Sequence, residues 1–196
     1  MKTRYLSINE LAVLRAHLTA AEWLPFAVAL ETGLRIGDVL KIRLEDLHEN
    51  KIAYKAEKTG KSGEAEISVD LMLQLHQNAD KHGWVFPGRV PGEHLTRQAA
   101  FARLKRACKR AGIDASGIAP HSFRKTFAVE TFRTEGAREA QKALQHNDIS
   151  TTELYIFADW LTGNNAFRPL LRLDLEKIVS RVVEIVKVML DNSDEL

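Results

Sequence analysis

Runs of apolar residues bounded by short polar signatures predict two consecutive helices at the start of the chain. Ser7-Ile8-Asn9-Glu10 and Thr19-Ala20-Ala21-Glu22 both match the capping box, in which a hydroxyl and a glutamate satisfy free amides of a first helical turn. Apolar residues then cover most of the second segment, which predicts an extensively buried helix. Gly33 is expected to end this helix as its C-terminal cap.

The helical pattern is interrupted directly after Gly33. A short helix is predicted to resume after Arg35, on the evidence of Val39, Leu40 and Ile42. A break between two buried helices can hold one charged group rigidly, which makes Arg35 a candidate functional residue. The alternative is that Arg35 merely forms an ion pair with Asp38.

A hairpin is predicted next, because residues 51–57 alternate apolar and polar side chains as a half-buried strand does. The polar run 58–63 turns the chain, with Lys58 at or near the tip, and the returning strand contains Ala65, Ile67 and Val69. The turn includes Gly60-Lys61-Ser62, as a P-loop does. A P-loop needs a glycine five residues earlier, where this chain has Lys55, and it needs a helix to follow. We therefore reject a nucleotide site.

One more helix separates the hairpin from the second half of the chain. Asp70 is expected to cap this helix, which should run through His82 and end at Gly83. Residues 84–88 then form an extended piece that closes into a turn.

The helix predicted from Arg97 to Ala111, with Thr96 as its cap, separates apolar from basic residues. Its apolar positions recur with a helical period and are Ala100, Phe101, Leu104, Ala107, Cys108 and Ala111. The other face contains no carboxylate and carries Arg97, Arg103, Lys105, Arg106, Lys109 and Arg110. Such a face is often only solvated, but an unrelieved basic face of this width also fits the major groove of DNA. We favour DNA contact.

Basic side chains cluster at the start of the next predicted helix. Pro120 marks this start, because a proline in the first turn loses no hydrogen bond. His121 and Arg124 are three residues apart and therefore share one face. The free amides of a helix start favour an anion, so the arrangement predicts a phosphate site. Taken singly, a histidine or arginine on a helix is more often just solvated.

Three further helices are predicted in the rest of the chain. The first, 138–144, delivers His146, and the second, capped by Ser150, carries Tyr155. After a loop-like stretch at 160–169, a long last helix is indicated by Leu175, Ile178, Val179, Val182, Ile185, Val186 and Met189. Its apolar surface is expected either to fold back on the core or to insert into a neighbouring copy.

The bulk properties indicate one domain that does not enter a membrane. At 196 residues and 45% hydrophobic, the chain can bury a real core. It contains no window of about 18 uncharged apolar residues and no signal-peptide run at its start. Cys108 is the only cysteine, which excludes an internal disulfide and a cysteine metal site and fits a reducing compartment. The net charge of +2 is too small to indicate nucleic acid by itself.

Five short motifs, taken in order, resemble one family of enzymes. They are Thr32-Gly33-Leu34-Arg35, Lys58-Thr59-Gly60-Lys61, His121-Ser122-Phe123-Arg124-Lys125-Thr126-Phe127-Ala128, Leu144-Gln145-His146 and Thr151-Thr152-Glu153-Leu154-Tyr155. In this order and at this spacing, the chain is similar over about residues 7–158 to the catalytic domain of the tyrosine recombinases, the phage integrase family. Gln145 stands where the family commonly has glycine, and Asp38 where it often has glutamate.

The resemblance implies an α+β, mostly α-helical fold, the DNA breaking-rejoining fold, with a small antiparallel sheet or hairpin. It implies one catalytic domain over residues 1–196, with its core at about 7–158 and a C-terminal tail and helix at about 159–191. No N-terminal core-binding domain is expected in this chain. The chain is therefore expected to be either an excised catalytic domain or a naturally small recombinase.

The resemblance also implies which residues act on DNA. The catalytic set is Arg35, Lys58, His121, Arg124, His146 and Tyr155. Tyr155 attacks a backbone phosphate and leaves a 3′-phosphotyrosine, while the two arginines stay charged and grip the phosphate. His146 donates to a non-bridging oxygen, His121 assists proton transfer, and Lys58 protonates the leaving oxygen. DNA contacts are expected at Arg97, Arg103, Lys105, Arg106 and Lys125.

The first interpretation is therefore a site-specific DNA recombinase of the integrase or invertase type. The alternatives are a tyrosine-type topoisomerase with the same chemistry and a DNA-binding regulator of the same fold that no longer cleaves. Double-stranded DNA is the expected partner, with self-association on DNA, for which the C-terminal helix is one candidate surface. No cofactor and no metal are expected, because arginines supply the positive charge. Such a protein, bacterial or phage-encoded, is expected in the cytoplasm.

Overall fold

Six helices and one small sheet make up the part of the chain that the structure describes. The structure is a computed structural model, and it describes residues 3–58 and 60–135. The helices are α1 (Ile8–Ala16), α2 (Ala20–Thr32), α3 (Ile36–Val39), α4 (Val69–Asn78), α5 (Arg97–Ala111) and α6 (Pro120–Glu135). The strands are β1 (Leu47–His48), β2 (Lys51–Lys55) and β3 (Ser62–Glu66), and a 3-10 turn spans Leu44–Asp46. The predicted α+β, mostly helical fold is confirmed.

The first two helices begin where their capping boxes predict. The Ser7 hydroxyl accepts the amide of Glu10 at 3.3 Å, and the Glu10 carboxylate accepts the amide of Ser7 at 2.9 Å. Thr19 and Glu22 exchange the same two bonds, each at 3.2 Å. Gly33 caps the end of α2 in the left-handed backbone conformation, with φ of 67°. These local signals therefore fix both ends of α2.

α2 packs against α6 in the hydrophobic core. Phe26 and Phe123 stack with their ring centroids 4.6 Å apart, and Trp23 meets Phe123 edge-on at 5.9 Å. Both phenylalanines are fully buried. The apolar face of α5 enters the same core through Leu104 and Ala107. The pairing of α2 with α6 brings the end of one helix against the first half of the other.

The sheet is antiparallel, with the order β1-β2-β3. β2 and β3 form the predicted hairpin. β3 ends at Glu66 instead of continuing to Val69, because Val69 already opens α4. β1 pairs with β2 through Leu47 opposite Ile52, and a strand of two residues is too short to show any alternation in the sequence. Ile52 is fully buried, so one face of the sheet covers the core.

The helix after the hairpin begins and ends earlier than predicted. We expected a cap at Asp70 and an end at Gly83, whereas α4 spans Val69–Asn78 and is capped by Ser68. The Ser68 hydroxyl accepts an amide of the first turn at 3.3 Å. Beyond the helix, the Asp80 carboxylate accepts two later backbone amides, at 3.0 and 2.9 Å, and this turn replaces the predicted last helical turn.

The predictions made for residues 138–189 lie outside the described residues, and so do His146 and Tyr155. All described residues belong to one compact unit, which spans residues 1–147. In the described ranges, no helix is long and apolar enough to cross a membrane. The same ranges contain no cluster of His, Cys, Asp and Glu side chains that could hold a metal ion.

Replacing Gly33 with alanine should destabilise the protein by about 2–4 kcal/mol in a urea unfolding experiment, because a Cβ there would overlap the ring of Phe127 and would also strain the left-handed backbone. Gly112→Ala is the matched control. Gly112 caps α5 with φ of 66°, yet a Cβ there meets no atom within 4 Å, so only about 1 kcal/mol should be lost. Equal losses in the two variants would contradict a tight contact between Gly33 and Phe127.

Candidate active site around Arg35 and Arg124

The pairing of α2 with α6 joins Arg124 to the segment that carries Arg35. The ring of Phe127 lies so close to Gly33 that only a residue without a side chain leaves room for it. One turn earlier on α6, the Arg124 guanidinium donates a hydrogen bond from Nη1 to the carbonyl oxygen of Gly33. Arg35 follows two residues after this carbonyl. Two arginines that are distant in the sequence are thus brought to one place.

The Arg124 side chain is enclosed by protein, with an exposed fraction of only 6%. Burial, and after it the like charge of Arg35, lower the pKa of Arg124 well below its ordinary value, to about 10. Arg35 follows two residues after the carbonyl that Arg124 binds, so the two guanidiniums belong to the same region of the protein. At neutral pH Arg124 remains charged. The site therefore holds two like charges, whose repulsion a bound anion would relieve.

Asp38 of α3 and Tyr54 of β2 lie in the same region. The charge of Asp38 raises the pKa of Arg124 and so offsets part of the repulsion. Burial raises the pKa of Tyr54, the charge of Arg124 lowers it, and that of Asp38 raises it. Asp38 Oδ1 accepts the amide of Glu57 at 3.0 Å. In the part of the chain that the structure describes, no ion pair joins Arg35 to Asp38; Asp38 instead holds the hairpin to α3.

Lys58 is exposed in the turn that follows β2. The residue before it is anchored twice: the Glu57 amide binds Asp38, and the Glu57 carboxylate lies 3.1 Å from Lys41 Nζ. A cleft of about 630 Å³ lies beside this anchor and is lined by residues that include Asp38 and Tyr54. Lys58 therefore extends from a fixed base next to an open cleft.

His121 lies exposed in the first turn of α6, one turn before Arg124. Ser122 stabilises this turn, because its hydroxyl accepts the amide of Ala119 at 3.1 Å and donates to the carbonyl of Gly117 at 3.2 Å. The structure thus places three of the six predicted catalytic residues, His121 among them, on two neighbouring segments. Lys58 lies on the hairpin, and the remaining two are outside the described residues.

The four predicted DNA contacts on α5 differ in exposure. Arg97 and Arg106 are exposed, whereas Arg103 and Lys105 are half-buried. Lys105 Nζ donates to a backbone carbonyl at 2.6 Å, so part of its hydrogen-bonding capacity is used within the protein. Arg97 packs over α3, where a Cβ at Gly37 would lie 3.3 Å from the Arg97 Cδ. The basic face therefore begins beside the helix that follows Arg35.

Lys125, the fifth predicted DNA contact, is instead buried within the protein. Its exposed fraction is 6%, and its Nζ donates to the carbonyl of Thr3 at 2.6 Å. Consecutive residues of a helix point about 100° apart, so Lys125 does not follow Arg124 into the same surroundings. We leave Lys125 out of the DNA-binding surface for this reason.

Two parts of the site were missed by the sequence analysis. Tyr54 lies within the strand predicted at residues 51–57, but alternation shows which way a side chain points and not what it meets. Gly33 was identified only as a helix cap, and no local sequence pattern predicts that its carbonyl binds Arg124. Both contacts join segments that are far apart in the sequence.

The sequence pattern of the phage integrase family matches residues 6–160 of this chain, a range that includes Arg35 and Arg124. The chain belongs to the phage integrase family. Tyrosine recombinase XerD of Brucella suis biovar 1 is 40% identical to it over 99 residues, which cover 48% of this chain and 32% of XerD. This integrase-family chain thus spans about a third of the length of that relative.

Solved structures of recombinases share the fold of this integrase-family chain. XerA recombinase superposes with a TM-score of 0.66 at 22% identity, over 80% of this chain and 61% of XerA. A lambda integrase tetramer bound to a Holliday junction gives a TM-score of 0.62 at 19% identity, over 76% of this chain and 48% of the integrase. The predicted DNA breaking-rejoining fold is confirmed by this similarity.

Inorganic phosphate should raise the thermal unfolding temperature, because an anion between Arg35 and Arg124 relieves their repulsion. With ~10 mM phosphate and a dissociation constant of ~1 mM, the expected stabilisation is about 1.4 kcal/mol, or roughly 3–6 °C. Arg35→Gln should lose most of the shift measured against sodium chloride of equal ionic strength. Arg133→Gln is the control and should keep it, because Arg133 pairs with Glu130 at 2.8 Å near the other end of α6. An unchanged shift in Arg35→Gln would contradict binding at this site.

Proposed function

We propose that this chain supplies the active site of a site-specific DNA recombinase, which cleaves and rejoins DNA through a 3′-phosphotyrosine intermediate. The observation that carries the proposal is the hydrogen bond from Arg124 to the carbonyl of Gly33, two residues before Arg35. A guanidinium stays charged and binds phosphate through two parallel hydrogen bonds, so a pair of them suits one DNA phosphate. Membership of the phage integrase family supports the same conclusion.

The proposed reaction requires negative charge to be stabilised at two places. A phenol has a pKa of about 10, so ionising Tyr155 near neutral pH costs about 4 kcal/mol. Negative charge also grows on the phosphoryl oxygens in the transition state. One well-placed arginine accelerates phosphoryl transfer by about 10³–10⁵-fold, or roughly 4–7 kcal/mol. The contributions of Arg35 and Arg124 are therefore large enough to account for most of the rate enhancement.

The other assigned residues handle protons. Lys58 extends from the anchored base of the hairpin, and we assign it as the acid that protonates the leaving 5′ oxygen. His121 assists proton transfer, since an ordinary histidine pKa lies near neutral pH. His146 donates to a non-bridging oxygen. The phosphotyrosyl link keeps the energy of the cleaved phosphodiester, so rejoining needs no nucleotide cofactor.

Double-stranded DNA is the proposed partner, contacted by the exposed Arg97 and Arg106 with Arg103 and Lys105 beside them. The lambda integrase tetramer on a Holliday junction supports self-association on DNA, which we assign to the predicted C-terminal helix. The relatives bear the names of recombinases, which favours strand exchange over DNA relaxation or simple binding. The protein is expected to be encoded by a bacterium or a phage and to act on DNA in the cytoplasm.

Tyr155→Phe should abolish covalent attachment to DNA while leaving binding largely intact, because only the nucleophilic oxygen is removed. The measurement uses a nicked suicide duplex that contains the ends of the native element, followed by denaturing electrophoresis. The unchanged protein should give a band of protein-linked DNA, and the variant none. An equal yield of adduct from Tyr155→Phe would exclude Tyr155 as the nucleophile.

Arg124→Ala should lower the single-turnover cleavage rate by about 10³–10⁵-fold and DNA affinity by less than about tenfold, because the guanidinium acts mainly on the transition state. Arg133→Ala, an exposed arginine on the same helix, is the control and should cleave normally. Thermal unfolding of each variant checks that it is folded at the assay temperature. Proportional losses of binding and cleavage in Arg124→Ala would contradict the assigned role.

A further inference from the structure

The first described residues of the chain are bound to α6, and we call residues 3–6 the N-terminal strap. Lys125 Nζ donates to the carbonyl of Thr3 at 2.6 Å. On the next residue of the helix, the Thr126 hydroxyl accepts the amide of Leu6 at 2.9 Å. The same hydroxyl donates to a carbonyl one turn earlier on α6, at 3.0 Å. The two ends of the strap are thus held by two consecutive residues of α6.

The middle of the strap is fixed to other parts of the protein. The amide of Arg4 donates to the carbonyl of Gly117, in the loop before α6, at 2.9 Å. The Arg4 guanidinium forms an ion pair with Glu10 of α1 at 2.5 Å. The side chains of Tyr5 and Leu6 are buried. The strap is therefore a packed, hydrogen-bonded element that joins α1 to the start of α6.

These contacts hold α6 from a second direction. Arg124 binds the Gly33 carbonyl at the end of α2, while Lys125, about 100° further around the helix, binds the strap. A rotation of α6 about its axis would disturb both bonds together. The position of the Arg124 guanidinium therefore depends on the strap as well as on α2.

We infer that Lys125 is a positioning residue of the DNA strand-transfer reaction, which acts through the strap on Arg124 and does not contact DNA. The inference rests on the proposed function. Bidentate binding of a phosphate tolerates little misalignment, and a displacement of about 1 Å can slow an enzyme about a hundredfold. A lysine outside the phosphate site can thus have a large effect on the chemical step.

The test compares Lys125→Met with the unchanged protein on the nicked suicide duplex at saturating concentration. Methionine keeps the apolar stem and removes the ammonium group. The cleavage rate should fall roughly ten- to a hundredfold. DNA affinity should change less than about threefold, and its salt dependence should stay the same. The amides of Arg4 and Leu6 should exchange hydrogen faster. Thr126→Val should act in the same direction, with a smaller loss of rate.

Two comparison variants separate positioning from other causes. Asn78→Ala removes the hydrogen bond of 2.7 Å that the Asn78 side chain donates to the Val85 carbonyl, in a region away from α6. This variant should lower the stability of the protein and leave the cleavage rate unchanged. Arg106→Met removes a proposed phosphate contact. It should weaken DNA binding and reduce the slope of log affinity against log salt concentration by about one. If Lys125→Met reproduces the Arg106→Met pattern, or cleaves at the full rate, the inference is overturned.

The outcomes also distinguish this inference from the proposed function. If the unchanged protein forms no covalent adduct, both fall. If it forms the adduct and Lys125→Met forms it equally fast, only the role of Lys125 falls. Should Lys125→Met fail to fold, Thr126→Val carries the test, because valine preserves the shape of threonine and removes the acceptor for the Leu6 amide together with the hydroxyl's own bond within α6. A full cleavage rate in that folded variant would then overturn the inference.

Discussion

Arg124 reaches from α6 to the carbonyl oxygen of Gly33, and the arrangement of the whole site depends on this hydrogen bond. The bond forms because a glycine ends α2. The left-handed backbone of Gly33 turns the chain sharply toward Arg35, and the absence of a side chain lets the ring of Phe127 pack directly against the turn. A larger residue at this position would separate the two helices, and the two arginines with them.

The repulsion between the two guanidiniums of the site opposes the packing of α2 on α6 that brings them together. Arg124 is buried next to another guanidinium, which is unfavourable for the protein without DNA, and the charge of Asp38 offsets only part of the cost. The stacked rings of Phe26 and Phe123 supply apolar contact between the same two helices. Hydrophobic packing thus maintains an arrangement of charges that a bound phosphate would complete. Proteins commonly carry such local instability where they act.

Local signals in the sequence predict most of the helix starts, the hairpin and the family, because each depends on residues that are neighbours in the chain. Contacts between distant segments are not accessible in this way. Ser68 and Asp70 can both cap a helix, and the choice follows from two bonds that Ser68 forms with Glu31 of α2. Lys125 stands in the motif of the predicted catalytic residues His121 and Arg124, yet its side chain binds the carbonyl of Thr3, at the other end of the described chain. A residue type defines which bonds are available, whereas the fold decides which are formed.

The bond between Asp38 and the amide of Glu57 has a consequence for the balance between broken and intact DNA. In the proposed reaction, the acid that protonates the leaving oxygen during cleavage is, by microscopic reversibility, the base that receives the same proton during resealing. A change that displaces Lys58 through this bond raises the barrier that cleavage and resealing share, and it slows both directions by the same factor when the cut and sealed complexes keep their relative stability. The equilibrium between cut and sealed strands is then unaltered, so a defect at the hairpin delays the proposed reaction without accumulating strand breaks.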